Sequence, residues 1–110
     1  MDGIVSFGNK RSYDEFKDHI PKQVQPMFDS VREYCLSLGT NVIEDVRMHR
    51  VVFCKSMSFR WFVDVEPNEN SILVKIQKNR KETIKSMKIG IKDELDLLKN
   101  EIKDAYQKIR

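Results

Sequence analysis

The sequence predicts an α+β domain: a two-layer sandwich in the order ααβββββα, with a mostly antiparallel sheet of about five strands and helices on one face. Three observations lead there. Apolar residues recur at helical spacing over 24–38 and again over 95–109, they alternate at strand spacing in between, and the strand-like runs follow one another through tight-turn signals. Strands in succession with no helix between them pair antiparallel, which leaves the helices to cover one face. A chain of 110 residues accommodates one core, so residues 1–11 read as an N-terminal tail and 12–110 as a single domain.

Each element has its own warrant. Ser12-Tyr13-Asp14-Glu15 has the S-x-x-E form of a capping box and predicts a short helix to about Ile20, ended by Pro21. Pro26 suits the first turn of the next helix, where its missing N–H costs nothing. That helix runs to Leu38 on the stripe Val24, Phe28, Val31, Cys35 and Leu38, and Gly39 stands where a left-handed C-cap belongs. Val42–Met48 and Val51–Cys54 are strand-like, with a hairpin turn expected over Lys55–Ser58 after the second. Strict alternation from Phe59 to Glu66 assigns Phe59, Trp61, Val63 and Val65 to one face and Arg60, Phe62, Asp64 and Glu66 to the other. Pro67-Asn68-Glu69-Asn70 is a turn signal, Ser71–Gln77 returns with Ile72, Val74 and Ile76 inward, and Met87, Ile89 and Ile91 suggest a fifth strand. Asp93 is placed to cap a last helix with the stripe Leu95, Leu98, Ile102, Ala105 and Ile109.

Composition excludes several classes. Hydrophobic residues make up 40% and charged residues 34% of the chain, with 4 glycines and 3 prolines, which argues against collagen-like and disordered chains. The longest uncharged run, Tyr34–Ile43, is far short of the roughly 20 apolar residues of a membrane span. An acid at position 2 and no apolar segment after it do not suit a signal peptide, and Cys35 and Cys54 each lie inside an apolar segment, so a cytoplasmic protein with two unpaired thiols is expected.

The pattern of blocks resembles a known family. Tyr34-Cys35-Leu36-Ser37-Leu38-Gly39, then Val42-Ile43-Glu44-Asp45-Val46, Val51-Val52-Phe53, Phe59 to Pro67 and Ser71-Ile72-Leu73-Val74-Lys75-Ile76 is similar to a family of small uncharacterised α+β domains. These occur alone or as C-terminal modules of predicted transport or restriction-endonuclease-like proteins. The resemblance covers about residues 24–109 and implies the same α+β fold, with no catalytic residues to carry over. Such domains tend to have a longer segment between the fourth and fifth strands, where this chain has the short basic stretch Lys78–Lys85.

Charge is the most uneven feature. Residues 75–92 hold seven bases, Lys75, Lys78, Arg80, Lys81, Lys85, Lys88 and Lys92, against the single acid Glu82, whereas the rest of the chain has 13 bases and 16 acids. Localised positive charge suits a polyanion, because each neutralised phosphate releases condensed counterions. The expected function is therefore a non-enzymatic binding module for an anionic partner, nucleic acid or an acidic protein surface. The candidate nucleic-acid-binding residues are Arg60, Phe62, Lys75, Lys78, Arg80, Lys81 and Lys85, with the guanidinium of Arg60 and the ring of Phe62 available to stack on bases.

The alternatives are a diverged metal-dependent nuclease using Asp64 and Glu66 near Lys75, and an adaptor or homodimer through the open sheet face. Against the first, no E-x-K tripeptide lies on a strand. His19 and His49 lack ligand partners at metal spacing, and no phosphate-binding glycine loop or nucleophile elbow can be built, so no metal, cofactor or catalytic residue is expected.

Overall fold

Ser12 opens the first helix as its setting predicts: its Oγ accepts the Glu15 backbone N–H at 3.1 Å, and α1 runs Tyr13–Asp18. The computed structural model describes residues 11–56, 60–79 and 81–109. The expected tail up to residue 10, Met57 and Ser58 of the expected hairpin turn, Phe59 and Arg80 lie outside the described residues. The second helix, α2 (Gln25–Ser37), carries Pro26 in its first turn and buries Met27, Phe28, Val31 and Cys35 along one stripe. It ends differently from the expectation, because the C-cap is Leu38 in right-handed geometry. Gly39 is there for a close approach instead: a Cβ at that position would overlap Tyr106 Oη and Asn41 Oδ1, two atoms hydrogen-bonded to each other at 2.5 Å.

Five strands follow, β1 (Val42–Val46), β2 (Val51–Lys55), β3 (Arg60–Pro67), β4 (Ser71–Ile76) and β5 (Lys85–Gly90), and they pair in chain order as an antiparallel meander. The last helix, α3 (Asp96–Lys108), completes the predicted order ααβββββα. Asp93 does not cap it; its Oδ2 accepts the Gly90 N–H at 2.7 Å and closes the turn after β5, while Leu95 takes the cap position. The fifth strand also begins earlier than the alternation suggests, leaving Ile91 in the turn and 43% exposed.

Helices α2 and α3 touch each other and share one sheet face, α2 over β1 and α3 over β3 and β4. The core lies between the layers, where Phe28, Val31, Leu98 and Ile102 meet Phe53, Val63, Val65 and Val74. A polar clamp ties α1 and α2 to the sheet. The Tyr13 phenol donates to Asp29 at 2.6 Å, Lys17 reaches the same carboxylate at 2.7 Å, and Arg32 stacks over the Tyr13 ring while pairing with Glu44 of β1. Burial first, then the hydrogen bond to Asp29, raises the Tyr13 phenol far above its ordinary range.

One local irregularity reverses part of the expected face assignment. Phe53 pairs with Val63 but Cys54 pairs with Trp61, so Phe62 is the extra residue of a bulge in β3. A one-residue insertion shifts the alternation by one position. Val63 and Val65 face the helices as expected, yet beyond the bulge the phase flips and Trp61 lies with Cys54 on the outer face, half-buried. Phe62, expected on the outer face, is instead fully buried and packs edge-on against Tyr106 of α3 at 5.4 Å between ring centres. Arg60, paired with Lys55, belongs to the helix-side row as well: Lys55 donates to the Ile109 carbonyl at 2.9 Å and lies over the Tyr106 ring.

Candidate functional site

The outer face of the sheet holds four of the charged residues that the sequence singles out, Asp64, Glu66, Lys75 and Lys88. Across β3 and β4, Asp64 stands opposite Lys75 and Glu66 opposite Leu73. Across β4 and β5, Lys75 stands opposite Ser86 and Leu73 opposite Lys88. Arg60 and Lys75 do not come together: the register sets Lys75 opposite Asp64, and the bulge puts Arg60 on the helix-side row.

Asp64 and Glu66 do share a face, and a residue from elsewhere in the chain joins them. Arg50, which follows the β1–β2 turn, donates from Nη1 to Asp64 Oδ2 at 3.2 Å and holds Nη2 3.6 Å from Glu66 Oε2. The acid pair thus has its counter-charge supplied by a guanidinium. Among the described residues no group of three or more His, Cys, Asp or Glu side chains is arranged to hold a metal ion.

The basic segment divides between two faces. Lys78 reaches Glu101 Oε1 at 3.2 Å and Asp104 Oδ2 at 2.9 Å, and Lys85 reaches the same Glu101 oxygen at 3.4 Å, so α3 neutralises both lysines on the helix side. Glu101 Oε1 is buried, with the ammonium groups of Lys78 and Lys85 both within ion-pair distance. Hydrogen bonding to Lys78 in both cases, then to Lys85 for Glu101 and Lys108 for Asp104, lowers both carboxyls below their ordinary range, and Lys78 is raised in turn. Lys75, Lys81, Lys88 and Lys92 have no carboxylate within ion-pair distance among the described residues. Lys75 and Lys88 lie on the outer face, and Lys81 and Lys92 are exposed in the flanking turns. Strand β5 is a sheet edge, where lysines also discourage pairing with another chain.

A second feature was hidden from sequence reasoning because its parts come from three distant segments. The end of α1, the β1–β2 turn and the β3–β4 turn enclose a cleft of about 720 Å³. It brings together the two histidines, His19 and His49, which the sequence separates by 30 positions. Gln23 braces one side, donating to the Glu69 carbonyl at 2.8 Å across from the β3–β4 turn. No sequence signal marks it: the strand-like run expected to reach Met48 ends at Val46, and Met48 stands in the turn beyond it, 63% exposed.

No protein-family model, curated protein or solved structure matches this chain. The fold and the charged surfaces therefore carry the functional argument. No helix among the described residues is long and apolar enough to cross a membrane.

Proposed function

We propose that this protein is a non-enzymatic binding domain that meets an anionic partner, nucleic acid foremost, through the β4–β5 side of its outer sheet face. One observation carries the reading: Lys75, Lys81, Lys88 and Lys92 have no carboxylate partner among the described residues, while Lys78 and Lys85 are engaged by α3. Unpaired ammonium groups on one hairpin are available to phosphates; paired ones must first give up a carboxylate. The contact set narrows accordingly to Lys75, Lys81 and Lys88, joined by Lys92, and loses Phe62, whose ring has no exposed face. A nuclease using Asp64 and Glu66 would have to displace Arg50 to admit a metal, so that reading is not carried forward.

The test is fluorescence anisotropy with labelled single-stranded RNA, single-stranded DNA and duplex DNA over a series of salt concentrations. The expected result is binding that weakens steeply with salt. Lys75→Glu with Lys88→Glu should cut the salt slope by about one per lysine, while Lys78→Gln leaves it unchanged. Absence of binding at low salt with every probe overturns the proposal, as does a slope that follows Lys78 instead of Lys75 and Lys88.

A further inference from the structure

The cleft between α1 and the two turns has the composition of a binding site in its own right. Its volume, about 720 Å³, lies within the range of small-ligand sites. The floor is apolar: Phe16 and Ile20 are 6% and 8% exposed, and Pro21 and Pro67 extend it. Met48 forms a lip that is free to adapt to what enters.

Its polar groups have a definite sign. Three carboxylates, Glu15, Glu66 and Glu69, line it against one arginine, Arg11. Glu66 is answered by Arg50 and Glu15 accepts the Ser12 hydroxyl at 3.3 Å, while the Glu69 carboxylate has no side-chain partner among the described residues. His19 is oriented by its own helix: its Nδ1 lies 2.7 Å from the Glu15 carbonyl, an oxygen that only accepts, so Nδ1 donates there. The cleft is thus an apolar floor rimmed mainly by acceptors and negative charge.

We infer that this cleft binds a small amphipathic cation, an ammonium or guanidinium group carried on an apolar body, with the body on Phe16, Ile20 and Pro67 and the charged head toward Glu69 and Glu15. Such a head comes from a free amine or from a basic side chain of a protein partner, and the two share the chemistry the cleft selects. This site is separate from the lysines of β4–β5 and stands or falls independently of them.

The experiment is an amide ¹H–¹⁵N NMR titration of the labelled protein with four probes: phenethylammonium, the capped dipeptide acetyl-Phe-Lys-amide, the neutral 3-phenylpropanol and the anionic 3-phenylpropionate. The expected result is saturable shifts at Ile20, His49, Asn68 and Glu69 with both cations, half-saturating in the millimolar range usual for ligands of this size. The anion should leave those amides unmoved. Glu69→Gln, an exposed turn substitution, should weaken both cations about two- to fivefold and leave 3-phenylpropanol unchanged. Tighter binding of the dipeptide assigns the head to a partner's side chain, and tighter binding of phenethylammonium assigns it to a free amine. Equal shifts from the anion, shifts scattered away from the cleft, or no shifts with either cation overturn the inference.

Discussion

The two faces of this sheet treat the same residue types in opposite ways. On the helix side, Lys78 and Lys85 reach carboxylates of α3, Phe62 is sealed against Tyr106, and Cys35 has no exposed surface. On the outer face, Lys75 and Lys88 have no such partner, Trp61 is half-buried, and Cys54 is half-buried beside it. Residue type therefore does not decide role; the presence of a second layer does. A lysine under a helix that carries acids is part of the scaffold, and a lysine on the face that no described helix covers remains available for a partner.

The aromatic pair offers the largest way to break this comparison. Phe62→Ala should cost about 3–5 kcal/mol in urea or thermal denaturation, because it empties a fully buried site. Trp61→Ala, one residue away, should cost about 1 kcal/mol, the ordinary size for a partly exposed position. A larger loss at Trp61 than at Phe62 would mean that β3 lacks the bulge and alternates without interruption.

The cysteines sharpen the contrast kinetically. Burial raises both thiols above their ordinary range, most strongly at Cys35, with nearby carboxylates, Glu44 for Cys35 and Asp45 for Cys54, adding to it. A thiol-reactive disulfide reagent near pH 8 should label Cys54 slowly in the native protein and Cys35 only on unfolding. Two thiols that react at one rate under native conditions would contradict the layering.

Acid titration separates the paired lysine from the unpaired ones. Glu101 and Asp104 have lowered folded-state pKa values, so the stability they contribute is present above the unfolded carboxyl pKa of about 4 and is lost as the pH falls through the folded values. Denaturation midpoints should therefore fall on acidification below about pH 5, and Lys78→Gln should make that fall shallower. The smallest expected effect is on the outer face. Lys75→Glu with Lys88→Glu should change stability by no more than about 0.5 kcal/mol at neutral pH, so that any loss of nucleic-acid binding reports on contact rather than on folding.

How far the site was legible follows from the range of each signal. Arg50 beside Asp64 and Glu66 joins a turn to the neighbouring strand, and the cleft joins α1 to two hairpin turns. Neither leaves a spacing pattern in the chain, because the partners are set by strand register and helix placement. The acids of α3 that neutralise Lys78 and Lys85 belong to the same category: Glu101 and Asp104 lie off the apolar stripe of the helix, and no spacing ties them to lysines that precede β5 or open it.

By itself the sequence determined the element order, the helix stripes and the inward residues of β4, since periodicity and turn chemistry act over a few neighbouring residues. Tertiary structure alone decided the phase of β3 across Phe62, the pairing of each lysine and the enclosure of the cleft. Those depend on which distant side chain arrives at a given point, and a single extra residue in a strand is enough to exchange one face for the other.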